Sequence, residues 1–141
     1  MREDMGLYKG KRKDNGEWVY GDLIHGKGEQ KEHLFIWYET DTFPFVKEAE
    51  VDPETVGQYT GIPDKKGTKI FDGDIVEHFF KSLIPSDGTR VDRCVVKWDC
   101  EECFFFMTSS RNGKDKTISA KSVYEVIGNI HDNPELLEVN R

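Results

Sequence analysis

Tight-turn signals recur along this chain too closely for a long helix to fit between them. Asn15-Gly16, Lys66-Gly67, Asp72-Gly73, Asp87-Gly88 and Asn112-Gly113 each end in a glycine able to take the positive φ that sharp reversals need. The first separates LYKGKRK from EWVYGDLIHG, which predicts a hairpin. In its second arm Trp18, Tyr20 and then Leu23 are expected to alternate with polar neighbours, as in a half-buried strand. QKEHLFIWYET, residues 30–40, is rich in aromatic and branched side chains and predicts a third strand. FVKEAEV, bracketed by Pro44 and Pro53, predicts a fourth strand or an extended edge segment.

The densest run of glycines is TVGQYTGIPDKKGTKIFDGDIV, residues 55–76. Its glycines are expected at turns: Lys66-Gly67 closes a reversal, and Asp72-Gly73 kinks the chain before a strand from Asp74 to about Lys81. Asp87-Gly88 is then a hairpin tip joining IVEHFFKSLI to RVDRCVVKWD, followed by strands in CFFFMTSS and SVYEVIGNI. Asp132-Asn133-Pro134-Glu135 reads as the start of a one- or two-turn helix, with a capping side chain and proline in the first turn. The fold class is therefore mainly β, at a spacing that suits a barrel or sandwich. NGEWVYGDLI and KGTKIFDGDIV share a turn glycine, an aromatic and a Gly-Asp-apolar ending, which either duplication or recurrent hairpin chemistry explains.

TVGQYTGIPDKKGTKIFDGDIV, VVKWD and the terminal YEVIGNIHDNPELL, in this order and joined by the earlier WVYGDLI, resemble the YopX family of bacteriophages and prophages. The resemblance implies an SH3-like β-barrel roll over residues 55–141, preceded by further β-structure in the hairpin and strand region of residues 1–54; FFKSLIPSDGTRVDR is less typical of the family and reads as a hairpin inserted near 79–92. It also implies a phage or prophage origin and self-association, and it carries no catalytic motif with it.

Charge narrows the function classes. The net charge is −7, with 8 basic and 13 acidic side chains in residues 1–54 against 12 and 14 in residues 55–141. A duplex-binding domain usually presents a basic face, so general nucleic-acid affinity is disfavoured. No apolar run approaches a membrane span, and MREDMGLYKG lacks the apolar core of a signal peptide. With an odd number of cysteines, three, these features point to the host cytoplasm and to no membrane partner.

Cys94, Cys100 and Cys103 are the metal candidates, the last two spaced like half of a zinc knuckle. Tetrahedral zinc would need His78, His33 or His131 as well, and no second CxxC exists. The ordinary reading is a hairpin tip with free thiols, beside a buried Cys94. Asp99, Glu101 and Glu102 would raise the thiol pKa values and slow redox chemistry. Asp72, Asp74 and Glu77 could form a general acid–base pair only if one were desolvated beside another; flanking a turn glycine, they are expected to cap backbone amides. Histidines in HExxH spacing, a nucleophile elbow and a phosphate-cradling GxxxxGK[ST] are all absent. The expected protein has no catalytic residue and no cofactor.

Two surface readings remain. Arg111, Lys114, Lys116 and Lys121 form a basic stretch that could contact single-stranded nucleic acid, with Tyr59, Phe71 and Tyr124 as stacking platforms. CFFFMT and HFFKSLI put large side chains on both faces of their strands, so either both faces are covered within the chain or part forms an interface. Phe79, Phe80, Leu83 and Ile84 are the residues expected at an oligomer contact. The leading expectation is thus a non-enzymatic, self-associating accessory protein meeting a phage or host protein, with single-strand binding by a small barrel as the alternative.

Overall fold

The computed structural model describes residues 7–81 and 88–138. Among the described residues eleven strands run in chain order: β1 (Leu7–Lys11), β2 (Trp18–His25), β3 (Leu34–Glu39), β4 (Val46–Val51), β5 (Gly57–Pro63), β6 (Lys69–Phe71), β7 (Asp74–Lys81), β8 (Thr89–Asp99), β9 (Phe104–Ser109), β10 (Asp115–Thr117) and β11 (Val123–Asn129). They form two antiparallel sheets, ordered β4-β3-β2-β1-β5-β6 and β10-β9-β8-β7-β11, one of them curled into a half-barrel. No α-helix occurs among the described residues; single 3-10 turns lie at Gly28–Gln30, Pro53–Thr55 and Pro134–Leu137. The chain divides into two compact units at Tyr59/Thr60.

In the first unit the Asn15-Gly16 turn forms as expected, with Gly16 at φ 73° and the N–H of Arg12 donating to Glu17 O at 2.9 Å. The inward residues of β2 match the expectation only at Leu23. Val19 is buried and Leu23 packs with it, whereas Tyr20 is 51% exposed. Strict alternation puts Tyr20 and Leu23 on opposite faces, and the registry with Ile36 and Ala49 turns the face of Val19 and Leu23 inward. Gly21 sits mid-strand because Trp37 O lies where its Cβ would be, 1.9 Å away. Gly73, its supposed repeat counterpart, is instead a turn residue at φ 93°, so the two Gly-Asp stretches do different work.

The far end of β4 returns to the end of β1. Asp52 N–H donates to Lys11 O at 2.8 Å, Lys13 N–H donates to Glu50 O at 3.0 Å, and Arg12 bridges Val51. Thr55 fastens this junction: its Oγ1 accepts the Lys11 N–H at 2.9 Å and donates to Asp52 O at 2.7 Å. Two glycines expected at turns, Gly57 and Gly61, lie inside β5; Gly57 is buried and pairs with Lys9.

The second unit packs Ile70, Val76, Cys94, Val96, Met107 and Tyr124 into one core, with Ile62, Ile118 and Val126 against it. Asp64 organises its first loop. Its carboxylate accepts the N–H groups of Lys66 at 2.8 Å, Thr68 at 2.9 Å and, across the unit, Val126 at 3.0 Å. Asp74 caps as expected, accepting the Phe71 N–H at 2.8 Å. The pairing of β7 with β8 is described as far as Lys81 opposite Thr89; the expected hairpin tip Asp87-Gly88 includes Asp87, which lies outside the described residues. The expected C-terminal helix is only the 3-10 turn Pro134–Leu137. Asn133 makes no cap; its side-chain oxygen accepts the Asn129 N–H at 3.3 Å, and so short a run cannot repay helix nucleation.

Candidate functional site

β7 is the strand on which the expected contact residues fall, and its pleat sends them apart. Phe79 points to the outer face and Phe80 to the inner one, while Leu83 and Ile84 lie outside the described residues. On the outer face the pairing places Val123 of β11 opposite Phe79, and Phe79 opposite Val91 of β8. Val91 is 49% and Val123 47% exposed, so three adjacent strands carry an apolar row. Lys65 Nζ stands 4.3 Å from the Phe79 ring centroid, a cation–π contact that covers part of the ring. Lys65 and Lys66 both reach Glu125, whose carboxyl they hold below its usual range.

Val91 and Val123 were not anticipated. The signal that would have found them is registry: once Lys81 pairs with Thr89, counting back in twos puts Val91 beside Phe79.

The inner face of the same strands carries a polar cluster. Asp92 is almost completely buried, and its two oxygens take a hydrogen bond from Ser109 Oγ at 2.9 Å and an ion pair from Lys116 Nζ. Burial works to raise the Asp92 pKa, but Lys116 and Ser109 outweigh it and hold the carboxyl low. His78 faces Asp92 across the strand pair, its ring stacked on Tyr124 at 5.1 Å and near Phe80 at 5.4 Å. Its Nδ1 is buried with no partner, and desolvation together with Lys116 lowers the imidazole pKa against the pull of Asp92. Cys94 lies 3.7 Å from Asp92 through its sulfur; burial pushes this thiol up to about 11. A thiol so held is a poor nucleophile, and the carboxylate is already neutralised by its own lysine.

The cysteine candidates are not brought together. Cys94 is buried in the core, whereas Cys100 and Cys103 are exposed on the β8–β9 turn, where Asp99 Oδ1 accepts the N–H groups of Glu101 and Glu102. Among the described residues no three His, Cys, Asp or Glu side chains converge as metal ligands would. The basic stretch is divided in the same way. Arg111, Lys114 and Lys121 are exposed, but Lys116 is committed to Asp92 and stands 4.8 Å from the Phe80 ring centroid. Tyr59, Phe71 and Tyr124 are buried and offer no face for a base to stack on. No helix among the described residues is long and apolar enough to cross a membrane.

The fold has a counterpart among solved structures. The crystal structure of protein EF1440 from Enterococcus faecalis is similar over 93% of this chain and 96% of that one, with a TM-score of 0.54 and 20% sequence identity. At that identity the likeness is one of fold. Among curated proteins, none matches the sequence. The YopX protein family matches residues 7–138, nearly the whole of the chain, and the protein therefore belongs to the YopX family.

Proposed function

We propose that this YopX-family chain is a non-enzymatic accessory protein of a phage or prophage, acting in the host cytoplasm by associating with itself and with a further protein. In this reading the second unit is an SH3-like β-barrel roll whose outer face is the contact surface. The observation that supports it is the apolar row Val123–Phe79–Val91, three side chains abreast on adjacent strands with the two valines half exposed. Single exposed apolar residues are ordinary on a protein surface, but a contiguous row across paired strands costs solvation until a partner covers it. The buried ionisable groups favour the same reading, because Asp92, Lys116 and Ser109 satisfy one another rather than pointing at open space.

Light scattering at micromolar concentration is the direct test. The expected result is a mass above that of one 16.3 kDa chain, reduced to one chain by Val91→Asp with Val123→Asp. A strict monomer, or an oligomer indifferent to both substitutions, overturns the proposal.

A further inference from the structure

The outer face of the first sheet has a different chemistry. Alternation along β2, β3 and β4 turns Val19, Ile36 and Ala49 inward and leaves Tyr20, Asp22, Trp37, Glu39, Val46 and Glu48 outward. Registry lines up Asp22, Trp37 and Glu48 in one row and sets Glu39 opposite Val46 in the next. Tyr20, Trp37 and Val46 are 51%, 45% and 49% exposed. Trp37 Nε1–H donates to Glu48 Oε2 at 2.7 Å, which fixes the indole beside a carboxylate, and a recess of about 250 Å³ opens along Trp37, Val46, Lys47 and Glu48.

No basic side chain among the described residues pairs with Asp22, Glu39 or Glu48, whereas Glu50 on the same face is matched by Lys13 and His33. An indole face attracts cations through its quadrupole, and unmatched carboxylates around it add to that attraction. Arginine fits best, because its planar guanidinium can stack on the ring while bonding a carboxylate with two N–H groups. β4 is also a sheet edge. The outward N–H and C=O groups of Val46 and Glu48 can extend the sheet onto an added strand. A second copy is a poor occupant of that edge: pairing Val46 with Glu48 about a two-fold axis sets Lys47 directly against Lys47.

We propose that the Tyr20–Trp37–Val46 face, with Asp22, Glu39 and Glu48 around it, docks an extended arginine-rich segment of a partner protein. This surface lies in the first unit and its occupant is another protein, so it stands apart from the self-association proposed above.

The probe is a synthetic oligo-arginine peptide titrated into the full chain, with backbone NMR shifts locating the contact and calorimetry its strength. Shifts should gather on Tyr20, Trp37 and Val46. Glu39→Gln with Glu48→Gln, which keeps side-chain shape, should weaken binding about tenfold, and Trp37→Ala by a similar factor. Glu101→Gln with Glu102→Gln on the β8–β9 turn should change it less than about twofold. Equal losses in both double variants would mean diffuse attraction to an acidic protein and would overturn the proposal, as would shifts elsewhere. A scattering mass that falls on Trp37→Ala would place a second copy on this face; that outcome overturns the docking assignment while leaving self-association standing.

Discussion

Asp92 is the residue whose removal the second unit should tolerate least. Its carboxylate is buried and holds Lys116 and Ser109 at once, so Asp92→Ala strands an ammonium and a hydroxyl beside the core. Breaking such a pair from one side costs about 3–5 kcal/mol, and chemical denaturation should show a loss of that size. Asp92→Asn with Lys116→Met should lose less, since neither charge is then left alone. None of this was legible from the sequence. Asp92 stands in VDRCVVKW as an acid with no partner signalled nearby, and only the pairing of β8 with β9 and β9 with β10 brings Ser109 and Lys116 to it. The capping role of Asp74 was legible because it is local, set by a turn glycine one residue away.

At the scale of elements, local signals specified most strands and misjudged those that non-local pairing decides. Asn15-Gly16 and Asn112-Gly113 announced their hairpins, because positive φ at the glycine is a demand of the turn itself. β5 went unseen: Gly57 and Gly61 read as turn residues, yet Gly57 is buried in a strand where pairing with β1 admits it. On β2 Leu23 packs inward as expected, but Trp18 and Tyr20 stand on the other side of the alternation and Val19 takes the core position, a choice only the core makes. Two substitutions test this level. Gly21→Ala would drive a Cβ into Trp37 O, forcing β2 and β3 apart, and should destabilise the first unit by at least about 2 kcal/mol. Thr55→Val keeps the shape but leaves the Lys11 N–H without its acceptor at the β1–β4 junction; denaturant midpoints should report a loss of about 1–3 kcal/mol.

For the whole molecule, acid should act unevenly on the two units. The carboxyls of Asp64 and Asp92, both in the second unit and both buried, are held below their ordinary 3.8. For Asp64 burial opposes the shift, but the N–H groups of Val126, Thr68 and Lys66 prevail. A carboxyl with a depressed folded pKa contributes stability that is present above 3.8 and drains away as pH falls through the folded value. His78 adds to this with the same sign. Its folded pKa lies below 6.5, so the unfolded chain takes up the proton first and stability begins to fall once pH drops past 6.5. In the first unit the depressed acids, Asp14 and Glu50, sit in exposed or part-exposed ion pairs, which contribute little. The second unit should therefore unfold at higher pH than the first. Trp98 belongs to the second unit and Trp18 and Trp37 to the first, so fluorescence of single-tryptophan variants separates the two transitions. Trp98 should respond first on acidification, and His78→Phe should flatten its early decline between pH 6.5 and the carboxyl transition. Coincident transitions, or a first unit that opens earlier, would show that the buried carboxylates do not set the acid limit of this fold.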